Sequence, residues 1–155
     1  MNLVYLGVGS NIEPEKNILR SLQLLSQHVM IVSVSSLWHT MPIGTDSPPF
    51  MNAAILIETN FDLNYLKEDI LCSIEEKMGR VRTLDKNSPR PIDLDILVFN
   101  NVIQDVQIFL LDHIVFPLSE LLPELPDPSS GKTLLEISQS RASSTEALRV
   151  AKIEI

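Results

Sequence analysis

Cysteine is almost absent: the chain has one in 155 residues, which excludes an internal disulfide and a secreted, disulfide-stapled scaffold. That residue, Cys72, lies in a helical pattern and reads as a buried, inert thiol. No apolar run approaches the ~18 residues that span a bilayer, and Met1-Asn2-Leu3-Val4-Tyr5 lacks a basic n-region, so a cytoplasmic protein is expected. Positive charge is scarce too. Lys and Arg number 12 against 20 Asp and Glu, a formal charge of -8, which argues against broad nucleic-acid binding. There is no P-loop, because Gly7-Val8-Gly9-Ser10-Asn11 lacks the required lysine and spacing. Repeats and low-complexity segments are also missing. The composition, 45% hydrophobic and 21% charged, is that of an ordinary globular chain, read as a single domain over 1–155.

What the chain does contain is organised around residues 77–95. Five of its 12 cations (Lys77, Arg80, Arg82, Lys86 and Arg90) cluster there, and the stretch ends in Asp93-Leu94-Asp95. On a strand, residues two apart share a face, so Asp93 and Asp95 would stand side by side, ~6–7 Å apart at the backbone, with Leu94 and Ile96 turned to the core. Adjacent carboxylates repel unless a cation lies between them, and hard oxygen ligands suit Mg²⁺. The bland alternative is an alternating strand with two solvated acids. Arginine gives a planar fork for phosphate. Lys77 and Arg80 are also explained as charges offsetting a helix C-terminus, but Arg82 and Arg90 are not. Cations and paired acids around a loop are the parts of a phosphoryl-transfer site.

Taken in order, Leu3–Gly9 reads as a buried strand. Ser10-Asn11 offers capping chemistry before a helix that starts near Pro14 and runs to about His28. Val29–Leu37 is a second strand, and Trp38–Pro49, with three prolines and a glycine, a long loop. Phe50–Thr59 is a third strand, Leu63–Met78 an amphipathic helix with Gly79 at its C-cap, and Ile92–Phe99 a fourth strand turning at Asn100-Asn101. The β-α-β-β-α-β order predicts an α+β, ferredoxin-like fold with both helices on one sheet face, followed by short C-terminal helices around Pro117–Leu122 and Leu134–Ser140. Phe50 and Asn52 share a face, and ring plus carboxamide suit a planar heterocycle, although an edge Asn and a core Phe explain them as well. Glu75 reads by default as an exposed helix acid. His39 and His113 have no metal-ligand spacing.

Together these motifs resemble the 6-hydroxymethyl-7,8-dihydropterin pyrophosphokinases of folate biosynthesis. The resemblance rests on Gly9-Ser10-Asn11, Thr40-Met41-Pro42-Ile43-Gly44, Phe50-Met51-Asn52-Ala53-Ala54, Glu75 with Gly79-Arg80-Val81-Arg82, Pro89–Ile96, and Pro117-Leu118-Ser119-Glu120. It implies transfer of pyrophosphate from ATP, as co-substrate, to a pterin hydroxymethyl group. It further implies two Mg²⁺ ions on Asp93 and Asp95, and Arg80, Arg82 and Arg90 as catalytic cations. Arg82, Arg90 and Ile96 would meet ATP. Thr40, Pro42, Ile43, Phe50, Asn52, Glu75 and His113 would form the pterin side, with His113 in place of a stacking ring. The partners expected are pterin and ATP, with neither nucleic acid nor membrane, and a monomer. The tryptophan, Pro-His and Arg-x-Phe elements of the family are missing here, so a non-catalytic or substrate-altered pterin or nucleotide binder stands as the alternative.

Overall fold

The computed structural model describes residues 1–40, 49–81, 90–142, 148–151 and 153. Strand β1 (Asn2–Ser10) leads to helix α1 (Pro14–Leu25), then β2 (Met30–Val34), β3 (Leu37–Thr40) and β4 (Phe50–Thr59). A second helix runs through α2 (Leu63–Tyr65), a π-helical stretch (Leu66–Leu71) and α3 (Cys72–Lys77). Next come β5 (Asp93–Phe99), β6 (Val102–Ile103), a 3-10 turn (Val106–Phe109), α4 (Asp112–Leu121), α5 (Leu134–Arg141) and β7 (Leu148–Ala151).

The sheet order is β6-β5-β1-β4-β3-β7, with β2 also paired to β4 and every ladder antiparallel. β2 lies against the Ile55–Glu58 part of β4 and β3 against Phe50–Asn52, so they are two halves of one interrupted strand. The order β5-β1-β4-β2/β3 is the ferredoxin-like arrangement that the βαββαβ sequence order implies. The interruption is at two buried serines. Ser35 donates its N–H to Ala54 O (2.9 Å) and accepts the Ala54 N–H on Oγ (2.8 Å), while the Ser36 N–H turns to Glu120 Oε2 (2.7 Å). Strand structure therefore resumes through Trp38–Thr40, which a reading of 38–49 as one loop misses.

Two apolar layers sandwich the sheet. On one face Val4, Leu6, Val8, Ile55, Ile57 and Leu94 meet Ile18, Leu22 and Leu25 of α1 and Leu66, Ile70 and Ile74 of the second helix. On the other, Tyr5, Ala54, Leu97 and Val98 meet Val115 and Leu118 of α4 and Leu134 and Ile137 of α5. At about 1.5–3 kcal/mol for each large aliphatic side chain buried, both layers are needed for stability. The C-terminal part is thus a full second layer rather than a few loose turns. The sequence pattern there is weak because α4 is buried between sheet and α5: Val115, Phe116, Pro117 and Leu118 are consecutive core residues, so no polar stripe marks the period.

Several local expectations change. α1 stops at Leu25, not His28, and its N-cap is Glu13 in the left-handed region (φ 38°), without a side-chain cap bond. Glu75 is buried, not exposed, and Cys72 is only half-buried. Gly79 does end the second helix at φ 85°, and Asn100 and Asn101 (φ 47° and 66°) form the left-handed pair of a tight β5–β6 hairpin.

Candidate active site

Strand register alone brings the chemistry together. Asp93 pairs with Gly9, Gly9 with Asn52, and Asn52 with Trp38, in a row across β5, β1, β4 and β3. Asp95 pairs with Gly7 in the next same-face row, and Gly7 pairs with Ala54. Directly opposed residues share a face, so Asp93, Asp95, Asn52 and Trp38 stand on the side of the sheet that α4 covers, while Leu94 enters the α1 core. Ile96 also packs against that first core, on the far side of the strand from the two acids. Phe50, half-buried, is two residues before Asn52, and the Thr40 backbone pairs with it. Gly9 is required by packing: a Cβ there would come within 2.6 Å of the Asn52 amide nitrogen.

Both cations lie in the connection between α3 and β5. At the end of α3 the Arg80 N–H bonds Glu75 O and the Gly79 N–H bonds Glu76 O, both at 3.0 Å, which is the Schellman pattern that a left-handed glycine permits. It turns Arg80 back over its own helix. The Arg80 guanidinium pairs with the buried Glu75 carboxylate and donates to Asp93 Oδ1 at 2.8 Å. Arg90 is fixed by its backbone, with its N–H on Asn11 Oδ1 (2.6 Å) and its carbonyl accepting the Asn11 N–H (3.2 Å). Its side chain donates to Asp93 Oδ2 at 3.0 Å. So Asp93 bridges two guanidinium groups, one on each oxygen, and Glu75 stands behind the first.

Asp95 differs. Water reaches it from the open side, but the protein packed behind it desolvates the carboxylate, and Asp93 repels it. Together these outweigh Arg80 and Arg90 and push its pKa from 3.8 up to about 6. His113, in the first turn of α4, is lowered by desolvation, with Asp93, Asp112 and Asp105 pulling the other way. The histidine therefore lies within electrostatic range of Asp93. Pro117 lies inside α4 and has no N–H to give the His113 carbonyl four residues back.

The donor set suits Mg²⁺. Mg²⁺ binds through one or two carboxylates, water and substrate phosphate rather than in an all-protein cage. Among the described residues no three His, Cys, Asp or Glu side chains form such a cage, and two neighbouring carboxylates, one with its pKa raised, are present. A divalent ion would relieve their repulsion.

Thus the structure gathers Arg80, Arg90, Asp93, Asp95, Asn52 and Phe50 around one end of the sheet, with His113 of α4 within electrostatic range of Asp93 and Glu75 paired with Arg80. Pro42, Ile43 and Arg82 lie outside the described residues. Sequence reasoning missed the parts that work through others. Asn11 was legible only as a helix cap, and it instead anchors Arg90. Glu120, in the Pro-Leu-Ser-Glu segment, accepts from Ser36 N–H and from Trp38 Nε1 (3.1 Å). Trp38 in turn stacks on Phe116 with ring centroids 4.9 Å apart. No periodicity signals such long-range pairs.

Known proteins resemble this chain in sequence and in fold. The family model described as 7,8-dihydro-6-hydroxymethylpterin-pyrophosphokinase (HPPK) matches residues 5–123. A 2-amino-4-hydroxy-6-hydroxymethyldihydropteridine pyrophosphokinase of Pseudomonas aeruginosa is 35% identical over 147 residues, covering 86% of this chain and 88% of its own. One of the same name from Bacillus subtilis is 33% identical over 136 residues, 80% of each chain. In fold, the chain is similar to the crystal structure of wild-type Plasmodium falciparum HPPK-DHPS, with a TM-score of 0.71 at 15% identity over 92% of this chain. It spans 44% of that longer polypeptide. By family match, by identity to relatives of its own length and by fold, the chain belongs to the 7,8-dihydro-6-hydroxymethylpterin-pyrophosphokinase family, the ATP-dependent diphosphokinases of folate synthesis.

Proposed function

We propose that this chain transfers the pyrophosphoryl group of ATP to the hydroxymethyl oxygen of 6-hydroxymethyl-7,8-dihydropterin, releasing AMP. The observation that carries the reading is the pair Asp93 and Asp95 on one sheet face, with Arg80 and Arg90 on the two oxygens of Asp93 and Asn52 one strand beyond Gly9. In the reaction the hydroxymethyl oxygen forms a bond to the β-phosphorus, the bond from that phosphorus to the α-phosphate oxygen breaks, and AMP leaves. Asp93 and Asp95 would hold Mg²⁺, read as two ions, which when bound neutralises phosphate charge. Arg80 and Arg90, joined by Arg82, orient the phosphates and stabilise charge on the transferred group. The mechanism places Glu75 behind Arg80, as the anion that fixes its guanidinium, rather than against the substrate. Asn52 and Phe50, with Thr40, Pro42 and Ile43, bind the pterin by amide hydrogen bonds and ring contact, and His113 lines the facing helix. Ile96 supports the nucleotide side from within the strand.

The whole of 1–155 is read as one pyrophosphokinase-like domain, since both apolar layers share the one sheet. A monomer is the assembly state proposed. Among the described residues no helix is long and apolar enough to cross a membrane, and cytoplasmic residence is the compartment proposed. The test is AMP formation by the purified protein from Mg-ATP. The reading requires AMP to appear only when hydroxymethyldihydropterin is added, and turnover that is absent with pterin, or equal without it, overturns the reading.

A further inference from the structure

Helix α4 is held to the sheet through Ser36 and Trp38, and Trp38 lies opposite Asn52 in the ladder. Glu120, on its last turn, spans the break between β2 and β3: one carboxylate oxygen accepts the Ser36 N–H at 2.7 Å, the other the Trp38 indole N–H at 3.1 Å. Ser36 is itself buried, so its N–H is a group whose partner matters. Trp38 is then clamped twice, by this bond and by its stack on Phe116, four residues before Glu120 on the same helix. Across the ladder Trp38 pairs with Asn52, and two residues on Thr40 pairs with Phe50. The other end of α4 is tied separately: Arg141 of α5 donates to the carbonyls of Phe109 (2.9 Å) and Leu110 (3.0 Å) and to Asp112 Oδ1 (3.0 Å).

We infer that Glu120 is a positioning residue for the heterocycle end of the site. Acting through Ser36 and Trp38, it holds the short β3 segment against β4, and β4 carries Asn52 and Phe50. β3 is only four residues long and is backed on its outer side only by the equally short β7, so side-chain ties add materially to its pairing with β4. The cations and acids at the other end rest on β5, Asn11 and Glu75, none of which Glu120 touches in these contacts. Its loss should be felt by the pterin and not by ATP. This inference rests on the functional reading above.

The experiment is steady-state kinetics of Glu120→Gln and Trp38→Phe, varying pterin and ATP separately. Glu120→Gln keeps an oxygen for one of the two donors, and Trp38→Phe keeps the ring stack but removes the indole N–H, so each variant weakens the tie without emptying the space. A pterin KM raised about three- to tenfold, with the ATP KM within about twofold of the parent, is expected of both. In Glu120→Gln the emission of Trp38, the sole tryptophan, should shift because the carboxylate beside its indole becomes a neutral amide. Equal changes in both KM values, or no change in either, overturn the inference. Asn52→Ala in the same assay separates the two levels. If it raises the pterin KM while Glu120→Gln does not, the positioning role falls and the functional reading stands. If Asn52→Ala also leaves the pterin KM unmoved, the assignment of this face to the pterin falls, and the positioning role with it.

Discussion

Replacing Gly9 by alanine is a one-methyl test of how the site is packed. The added Cβ would lie 2.6 Å from Asn52 Nδ2 and 3.7 Å from Asn52 Cγ, with Met51 O at 3.8 Å. Ordinary contacts are ~3.5–4.0 Å, so the amide nitrogen must retreat by roughly 1 Å while the rest of the surroundings can stay. Two effects on stability compete. Removing a glycine from the unfolded chain favours folding by about 0.4–1 kcal/mol. Overpacking costs about 1–3 kcal/mol, and Asn52 is nearly fully buried, with little room to turn. Overpacking wins, leaving a net loss of about 1–2 kcal/mol. For a chain of this size that lowers Tm by about 2–8 °C. The functional effect should be larger and one-sided. A carboxamide displaced by ~1 Å can no longer match a heterocycle edge, so pterin KM rises about tenfold or more, while the ATP KM is little changed. Thermal melting and initial-rate kinetics read both quantities. A Gly9→Ala protein with the parent's Tm and the parent's pterin KM would refute the reasoning, because it would mean that the methyl and the amide never meet.

Two further outcomes follow from the charges. Asp95 has its folded pKa raised from 3.8 to about 6, so it contributes stability that is present below about pH 4 and lost as pH rises through 6. Discounted for its contact with water, Asp95→Asn should melt about 2–4 °C higher than the parent at pH 7, with the difference vanishing toward pH 4; a constant difference across melts over that range contradicts this. Arg80→Ala removes one partner of the buried Glu75 and one of the two guanidiniums on Asp93. It should cost about 3 kcal/mol in urea unfolding, and adding Glu75→Gln should recover part of the loss, whereas additive losses in the double variant would deny the pairing.

The sequence carried the site's reactants better than its supports. Asp93-Leu94-Asp95 has the strand period of two, so the shared face of the acids was readable, and Gly79 announced its left-handed cap by residue type alone. Leu63–Lys77 was readable as a helix from its apolar spacing, though not the π-helical stretch inside it, which nothing in Leu66–Leu71 announces. Glu75 looked like a surface acid because helical spacing reports only which side a residue is on. That a Schellman turn folds Arg80 back onto it is a fact of the next four residues in three dimensions. The break at Ser35-Ser36 hid β3, since it depends on Ala54 and on Glu120, 84 residues away from Ser36. α4 was under-read for the opposite reason: its buried residues run consecutively from Val115 to Ser119, so their spacing does not show the helical period.

The proposal on which the rest depends is that the two acids at the start of β5 bind divalent metal opposite Arg80 and Arg90. Its most direct test is a crystal structure of the protein with Mg²⁺, a non-hydrolysable ATP analogue and the pterin. The account predicts a divalent ion in contact with carboxylate oxygens of both Asp93 and Asp95, with phosphate oxygens completing its shell and at least one of the two guanidiniums moved from Asp93 onto phosphate. Metal and phosphates bound at another surface, with Asp93 still bridging Arg80 and Arg90 and Asp95 facing only water, would contradict it.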